Sequence, residues 1–232
     1  MAICTGSLIS RRHVITARHC FTLPGIPKDR QTVVMYGGTR WNSAPESFKQ
    51  VGIRKKIYPS LSEHFHDVAV CELEHDIEGN NMGFVCLPRE EDYTRDDFEK
   101  KAHFFGGGIG GNGQAAGDII KMLTYDLTDE DVIEAVHFEQ EFFMTYRRTR
   151  EQHGYAGPGD SGGPLVRKRL SDDRYVLYGV LRGSNSTVDK FDGWDIFATV
   201  RHFAPDICRP WPVLLSASIQ SRRARAMDEM VR

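Results

Sequence analysis

The chain of 232 residues lacks the compositional marks of several protein classes. It has no apolar run long enough to span a membrane, and its first residues, MAICTGSLIS, lack the charged start and apolar core of a signal peptide. Basic and acidic side chains nearly cancel, at 30 against 32, so no charge excess favours a nucleic-acid partner or an anionic membrane surface. We therefore expect a globular protein with neither partner and, as written, no export signal.

Cysteine is also scarce. The chain has five cysteines: Cys4, Cys20, Cys71, Cys86 and Cys208. None shows the close pairing of a zinc site, so the cysteines predict no metal site. Because five is an odd number, at least one thiol has no disulfide partner within this chain.

Turn residues are plentiful, with 22 glycines and 10 prolines. They separate short β-branched or aromatic runs that predict strands: QTVVMYGG, FKQVGIRKKIYP, DVAVCEL and RYVLYGVLRG. Residues 5–17 predict two more strands joined by a polar turn at Arg11 and Arg12. This pattern is typical of an all-β barrel or sandwich. Helices are predicted in TDEDVIEAVHFEQ from Thr128 and in FATVRHFAPDI from Phe197.

Three segments contain the residue types of nucleophilic catalysis: VITARHC, HFHDVAVCEL and GDSGGP. A serine hydroxyl is a weak nucleophile at neutral pH, so an imidazole must take its proton and a carboxylate must orient that imidazole. His19, Asp67 and Ser161 are the candidates for these roles. Each segment is weak evidence alone, and the three together are much stronger.

The three segments resemble the T-A-A-H-C, D-I-A-L-L and G-D-S-G-G-P motifs of the trypsin-like, chymotrypsin-fold serine proteases. The likeness runs from CTGSLIS at Cys4 to the segment near Cys208. It implies two antiparallel six-stranded β-barrels and a C-terminal helix. It also implies peptide-bond hydrolysis through an acyl-enzyme, with the backbone N–H groups of Gly159 and Ser161 forming the oxyanion hole. The family resemblance further implies a secreted monomer that acts on proteins or peptides without a cofactor.

The resemblance divides the chain into two lobes and a tail. Residues 1–88 form the lobe with His19 and Asp67, residues 89–101 the connection, residues 102–212 the lobe with Ser161 and the terminal helix, and residues 213–232 the tail. The family's activating N-terminus and first strand precede the segment matched at Cys4. We therefore expect an incomplete first barrel with an open edge, and Asp160 without its usual ammonium partner. A truncated gene model, an internal start or an alternative product would explain this.

The same resemblance assigns the cysteines and the substrate pocket. Cys4 and Cys20 match a family disulfide, Cys71 is expected to be buried and free, and Cys86 pairs either with a missing N-terminal cysteine or with Cys208. The pocket residues it implies are Tyr155, Gly183 and Asp195. Tyr155 stands at the pocket floor, where trypsin has an acid, and Asp195 lies near a second lining position where it could select a basic side chain. The serine that supports the triad acid in the family is missing near Leu181 and Arg182.

Three alternatives compete with an active protease. A catalytically silent trypsin-like module could use its loops to bind proteins. FGGGIGGNG contains a formal G-x-G-x-x-G at Gly106, Gly108 and Gly111, but no βαβ pattern surrounds it, which disfavours a dinucleotide site. His64 and His66 precede Asp67 as a possible metal cluster, although a loop leading to the triad acid is the simpler interpretation.

Overall fold

The computed structural model describes residues 3–22, 31–38, 48–59, 67–79, 82–93, 97–108, 120–126, 132–134, 143–147, 156–184 and 194–200, with Ala204 and Ile207. Its strands form two antiparallel sheets. The first sheet contains β1 Ser7–Ser10, β2 His13–Thr16, β3 Val33–Tyr36, β4 Lys49–Ile57 and β5 Ala69–Leu73. The second contains β6 Phe98–Gly106, β7 Lys121–Asp126, β8 Val132–Glu134, β9 Phe143–Arg147, β10 Pro164–Arg169, β11 Tyr175–Ser184 and β12 Trp194–Thr199.

The strand order confirms the predicted all-β, two-sheet architecture. The order is β1-β2-β5-β4-β3 in the first sheet and β7-β6-β10-β11-β12-β9-β8 in the second. In the described part of the chain the first sheet has five strands, with β1 and β3 at its edges, and the second has seven. A short helix, α1 His19–Thr22, follows β2 directly, and no sequence signal predicted it.

The predicted hairpin of β1 and β2, with its polar turn, is confirmed. Leu8 pairs with Val14, and the turn between the strands contains Arg11 and Arg12. The Ser10 hydroxyl stabilises this turn, because it accepts a hydrogen bond from the backbone N–H of Arg12 at 3.1 Å. Every residue of β2 is buried, as expected for a β-branched strand between β1 and β5.

The main hydrophobic core joins the two sheets. From the first sheet and its flanks it takes Ile15, Ala17, Val68 and Val70; from the second it takes Val166, Leu177, Val180, Ala198, Val200 and Ile207. Their burial, at about 25 cal/mol per Å² of apolar surface, favours close contact between the sheets. The ends of β2 and β5 therefore face the second sheet.

A short segment at Val85 and Cys86 also connects the sheets, through backbone hydrogen bonds. The Val85 N–H donates to the Leu8 carbonyl in β1 at 3.0 Å. The Cys86 N–H donates to the Tyr175 carbonyl at 3.1 Å, and the Cys86 carbonyl accepts from Leu177 N–H at 2.8 Å. We call Val85–Cys86 the bridging segment.

The predicted connection between the lobes, residues 89–101, contains a 3-10 helix, Glu90–Tyr93, and the first residues of β6. Asp92 in this helix is buried and forms an ion pair with Arg169 of β10, with 2.7 Å between Oδ2 and Nη2. The Tyr178 hydroxyl donates to the Asp92 carbonyl oxygen at 3.0 Å. These contacts fix the connection to the second sheet.

Both helix predictions need correction. Val132–Glu134, within the first predicted helix, is strand β8, in which Ile133 opposes Thr145 of β9. Phe197–Thr199, at the start of the second, belongs to β12, in which Phe197 opposes Leu181. Local helical periodicity lost to strand pairing, of β8 with β9 and of β12 with β9 and β11, which the periodicity of a single segment does not reveal.

Past β12, Ala204 and Ile207 are helical, and the Ala204 N–H donates to the Val200 carbonyl at 2.9 Å. The rest of the predicted terminal helix, Cys208 and the tail lie outside the described residues.

Two cysteine predictions are confirmed, the Cys4–Cys20 disulfide and the buried, free Cys71. Cys4 and Cys20 form a disulfide with 6.3 Å between their Cα atoms. Cys71 is free and buried in β5, and this burial raises the pKa of its thiol to about 12. Cys86 is a free thiol that is half-buried in the structure.

Candidate active site

His19 and Asp67 lie at the ends of two neighbouring strands. His19 begins α1 just after β2, Asp67 lies just before β5, and the pairing of Thr16 with Ala69 sets these ends side by side. The His19 backbone N–H donates to Asp67 Oδ1 at 2.8 Å, and His19 Nδ1 lies 2.6 Å from Asp67 Oδ2. Their side chains are 23% and 12% exposed, so solvent still reaches the imidazole.

Ser161 follows a tight turn, Gly157–Asp160. The Asp160 N–H donates to the Gly157 carbonyl at 3.0 Å, and Gly159 has a φ of 93°. Proline at the second position and a glycine of positive φ at the third are the signature of a type II turn. The G-P-G-D sequence thus explains how the chain reverses just before the serine. We call residues 157–161 the nucleophile turn.

The nucleophile turn and the glycine after it lie against Thr5 and the segment around His19. The Thr5 N–H donates to the Ser161 carbonyl at 2.8 Å, and Cys20 Sγ lies 3.9 Å from the same oxygen. Gly162, with a φ of 85°, is so close to Thr16 and Ala17 that a Cβ atom there would overlap them. The Cys4–Cys20 disulfide braces this contact, because Cys4 directly precedes Thr5 and Cys20 directly follows His19.

Asp160 is fully buried, and backbone donors hold its carboxylate. Gly108 N–H donates to Oδ1 at 2.8 Å, and Gly157 N–H donates to Oδ2 at 2.7 Å. Hydrogen bonds to an ionised acceptor are about twice as strong as neutral ones. These donors therefore offset part of the desolvation penalty expected for this acid.

The glycine run at Gly106–Gly108 lets the chain pass close to the nucleophile turn. A Cβ atom on Gly106 would lie 2.8 Å from Asp160 Cγ, and one on Gly108 would lie 2.6 Å from the carbonyl carbon of Gly159. Both distances are below normal contact, so only glycine fits there. This packing accounts for two glycines of the formal G-x-G-x-x-G pattern. Gly111 lies outside the described residues.

Two of the three predicted pocket residues can be placed. Gly183 of β11 opposes Ile196, and the next pair is Ser184 with Asp195 of β12. A Cβ atom on Gly183 would meet no atom of the described residues within 4 Å. The Ser184 hydroxyl donates to the Ala156 carbonyl at 2.9 Å and so ties this end of β11 to the residue after Tyr155. Tyr155 itself lies outside the described residues.

Asp195 is fully buried in β12 of the second sheet. The hydroxyl of Tyr125, itself buried in β7, donates to Asp195 Oδ2 at 2.8 Å. The Tyr125 ring packs edge-on against Phe197, with 6.0 Å between centroids. Sequence reasoning missed Tyr125, because nothing local distinguishes it from other aromatic strand residues.

Thr5 is a second residue that sequence reasoning missed. Its hydroxyl donates to the Gly159 carbonyl at 3.0 Å and accepts from Gly107 N–H at the same distance. Its own carbonyl accepts from the Thr16 hydroxyl at 2.6 Å. The only signal in the sequence is a hydroxyl residue directly after Cys4.

The described ranges hold neither a metal cluster nor a membrane-spanning helix. They contain no group of three or more His, Cys, Asp or Glu side chains that could hold a metal ion. His64 and His66 fall outside them. Within the same ranges no helix is both long and apolar enough to cross a membrane.

Comparison with known proteins gives consistent results. A family model described as Trypsin matches residues 1–207. The chain is 28% identical over 185 residues to the venom serine protease Bi-VSP of Bombus ignitus, which covers 70% of this chain and 47% of that protein. It is 25% identical over 200 residues to a venom serine protease of Polistes dominula, covering 82% of this chain and 70% of that protein.

A third relative is serine protease Hayan of Drosophila melanogaster, 28% identical over 212 residues, covering 82% of this chain and 32% of that protein. The chain thus spans about half the length of the Bombus relative and about a third of Hayan.

Proposed function

Because the chain belongs to the trypsin family of serine proteases, we propose that it is an endopeptidase that hydrolyses peptide bonds through Ser161, His19 and Asp67. The observation that carries this proposal is the pair of hydrogen bonds from His19 to Asp67, at 2.8 and 2.6 Å. A carboxylate bound to Nδ1 keeps the proton on that nitrogen and leaves Nε2 free to accept one.

In the proposed reaction, Ser161 Oγ attacks the carbonyl carbon of the scissile bond while His19 Nε2 takes its proton. The imidazolium that forms is stabilised by Asp67, which remains ionised. His19 then gives the proton to the leaving amine, and an acyl-enzyme remains on Ser161. Water attacks this ester by the same route and regenerates the serine.

The negative oxygen that develops in each attack needs donors, and the backbone N–H groups of Gly159 and Ser161 are the proposed pair. Such a donor contributes roughly 3 kcal/mol to transition-state stabilisation. The type II turn supports this assignment, because the positive φ of Gly159 is a conformation that other residues seldom adopt. The hydrogen bonds that the Asp160 carboxylate accepts from Gly108 and Gly157 stabilise the turn that contains Gly159.

Labelling with a fluorophosphonate probe tests the proposal. We expect covalent modification of Ser161 in the folded protein, located by mass spectrometry of the digest. Ser161→Ala should abolish labelling and His19→Ala should slow it greatly, each without loss of fold. A folded protein that takes no label contradicts the proposal and favours the catalytically silent, protein-binding alternative.

We further propose that Asp195 gives the pocket a preference for basic side chains. It lies on β12 opposite Ser184, next to the pair of Gly183 with Ile196, and a buried carboxylate is strongly stabilised by a bound cation. Cleavage of a peptide library should favour Arg or Lys before the scissile bond, and Asp195→Asn should remove that preference. A library profile with no basic preference contradicts this assignment.

We infer that the protein acts outside the cell. Two relatives are named as venom proteases, and the Cys4–Cys20 disulfide is of a kind that persists in oxidising compartments. Mass spectrometry of the fluid around expressing cells should detect the protein with this disulfide intact. Protein found only in the cytosol, with both thiols reduced, contradicts the inference.

A further inference from the structure

Thr5 connects three parts of the candidate site that are distant in sequence. Its backbone N–H and hydroxyl contact the carbonyls of Ser161 and Gly159, at 2.8 and 3.0 Å. The same hydroxyl accepts from Gly107 N–H at 3.0 Å, in the glycine run. The Thr5 carbonyl is held in turn by Thr16, three residues before His19.

The two carbonyls that Thr5 binds lie on either side of one peptide group. This group joins Asp160 to Ser161 and contains the Ser161 N–H, one of the two proposed oxyanion donors. With the carbonyl before it and the carbonyl after it both bound to Thr5, its orientation relative to β2 and His19 is restricted. The contact to Gly159 also restricts the residue that supplies the second donor.

Only the hydroxyl makes this arrangement depend on the identity of the side chain. Any residue except proline could donate its backbone N–H to Ser161. Gly159 offers an acceptor and Gly107 a donor, and a hydroxyl can satisfy both at once. Valine has the same shape but neither capacity, whereas serine keeps both. Thr5 is only half-buried, so its loss need not unfold the chain.

We propose that Thr5 is a positioning residue for the reaction: its hydroxyl holds the nucleophile turn against the glycine run and so fixes the Ser161 and Gly159 N–H groups. The inference rests on the proposed function, because it takes those N–H groups as the oxyanion hole. Thr5 itself touches neither the substrate nor the reacting atoms.

The test compares Thr5→Val, Thr5→Ala and Thr5→Ser with the unaltered protein. We expect Val and Ala to lower kcat and the rate of fluorophosphonate labelling about tenfold, the effect of one net hydrogen bond felt in the transition state. KM should change less than about twofold, since no substrate contact is lost. Ser should restore kcat to within about threefold of the original value.

Thr124→Val is the matched control, because it removes a hydroxyl bonded to His103 Nδ1 at 3.1 Å in the second sheet. It should leave kcat unchanged. If Thr5→Val does not fold, the comparison of Ser with Ala isolates the hydroxyl alone. The inference is overturned if Val or Ala keeps the original kcat, or if Ser loses as much activity as Ala.

A second measurement separates this inference from the proposed function. If the unaltered protein takes no label, the proposed function fails. Hydrogen exchange of the Gly107 amide and of residues 157–163 then still tests the contact made by Thr5. Faster exchange in Thr5→Ala than in Thr5→Ser supports the positioning role, and equal exchange in the two variants contradicts it.

Discussion

Asp67 accepts two hydrogen bonds from a single residue, His19, one from the backbone N–H and one at the ring. The backbone bond fixes the carboxylate relative to the start of α1, and the ring bond then fixes the imidazole relative to the carboxylate. Both oxygens are used, so the carboxylate has little freedom to rotate. The orientation of the ring is therefore set before any substrate arrives.

Replacing Asp67 with Asn tests the importance of the charge. Asn can still accept from the His19 N–H, but its amide nitrogen presents donors to Nδ1 and favours the wrong imidazole tautomer. We expect kcat to fall about 10⁴-fold with little change in melting temperature. Peptide hydrolysis and thermal unfolding measured on one preparation check this. A loss of under tenfold would argue against the proposed triad.

Asp160→Asn tests the backbone donors around the nucleophile turn. One of the two N–H groups, of Gly108 or Gly157, would then face the amide donor of Asn, and a buried N–H without an acceptor costs about 1–3 kcal/mol. Urea unfolding should show this loss together with slower labelling of Ser161. Asp126→Asn, at an exposed position on β7, is the control and should change neither. Unchanged stability in Asp160→Asn would argue against the two contacts.

The buried ion pair of Asp92 and Arg169 should contribute strongly to stability only while both partners are present. Arg169→Met leaves the carboxylate buried without its main cation, and we expect unfolding to become easier by about 3 kcal/mol. The double variant Arg169→Met, Asp92→Leu should lose less than the sum of the two single variants. Urea titrations of all four proteins give the coupling energy.

An exposed pair provides the contrast. Lys49 and Glu78 lie 3.8 Å apart with side chains 57% and 82% exposed, and Lys49→Met should change the free energy of unfolding by less than about 1 kcal/mol.

For the buried pair, strict additivity of the Asp92 and Arg169 variants would show that no coupling exists between those residues.

The thiol of Cys71 should be inert in the folded protein. Burial raises its pKa from 9.0 to about 12, so the reactive thiolate forms more readily in the unfolded chain. Iodoacetamide at pH 8 should modify Cys71 only after denaturant is added. Because of the same pKa shift, the thiol loses its proton at lower pH in the unfolded chain than in the folded one. The contribution of Cys71 to the free energy of unfolding therefore declines as pH rises from 9 toward 12. Cys71→Ala should flatten that decline, and rapid native labelling would contradict the prediction.

The sequence correctly predicted those parts of the molecule whose structure depends on neighbouring residues or that carry a long motif. The β1–β2 hairpin follows from two apolar runs on either side of two arginines, and His19 and Asp67 were placed together by motifs that the resemblance supplied. β8 and β12 were partly mistaken for helices, because their strand state depends on β9 and β11.

Thr5 and Tyr125 were missed for a related reason. The Thr5 hydroxyl meets Gly159 across 154 positions and Gly107 across 102, and Tyr125 meets Asp195 across 70. Nothing near these residues in the chain signals such partners. Contacts between residues so far apart in sequence form only when the strands have assembled into their sheets.

The bridging segment has a consequence for how the protein can change over evolutionary time. Val85 and Cys86 join β1 to β11 through main-chain groups, so the link does not depend on which side chains stand there. Proline, which lacks the N–H, would break the link, and other substitutions must keep the apolar packing of Val85 and Cys86 against the buried clusters. The two sheets can therefore stay aligned at this point through changes among apolar side chains, because the main chain carries the link.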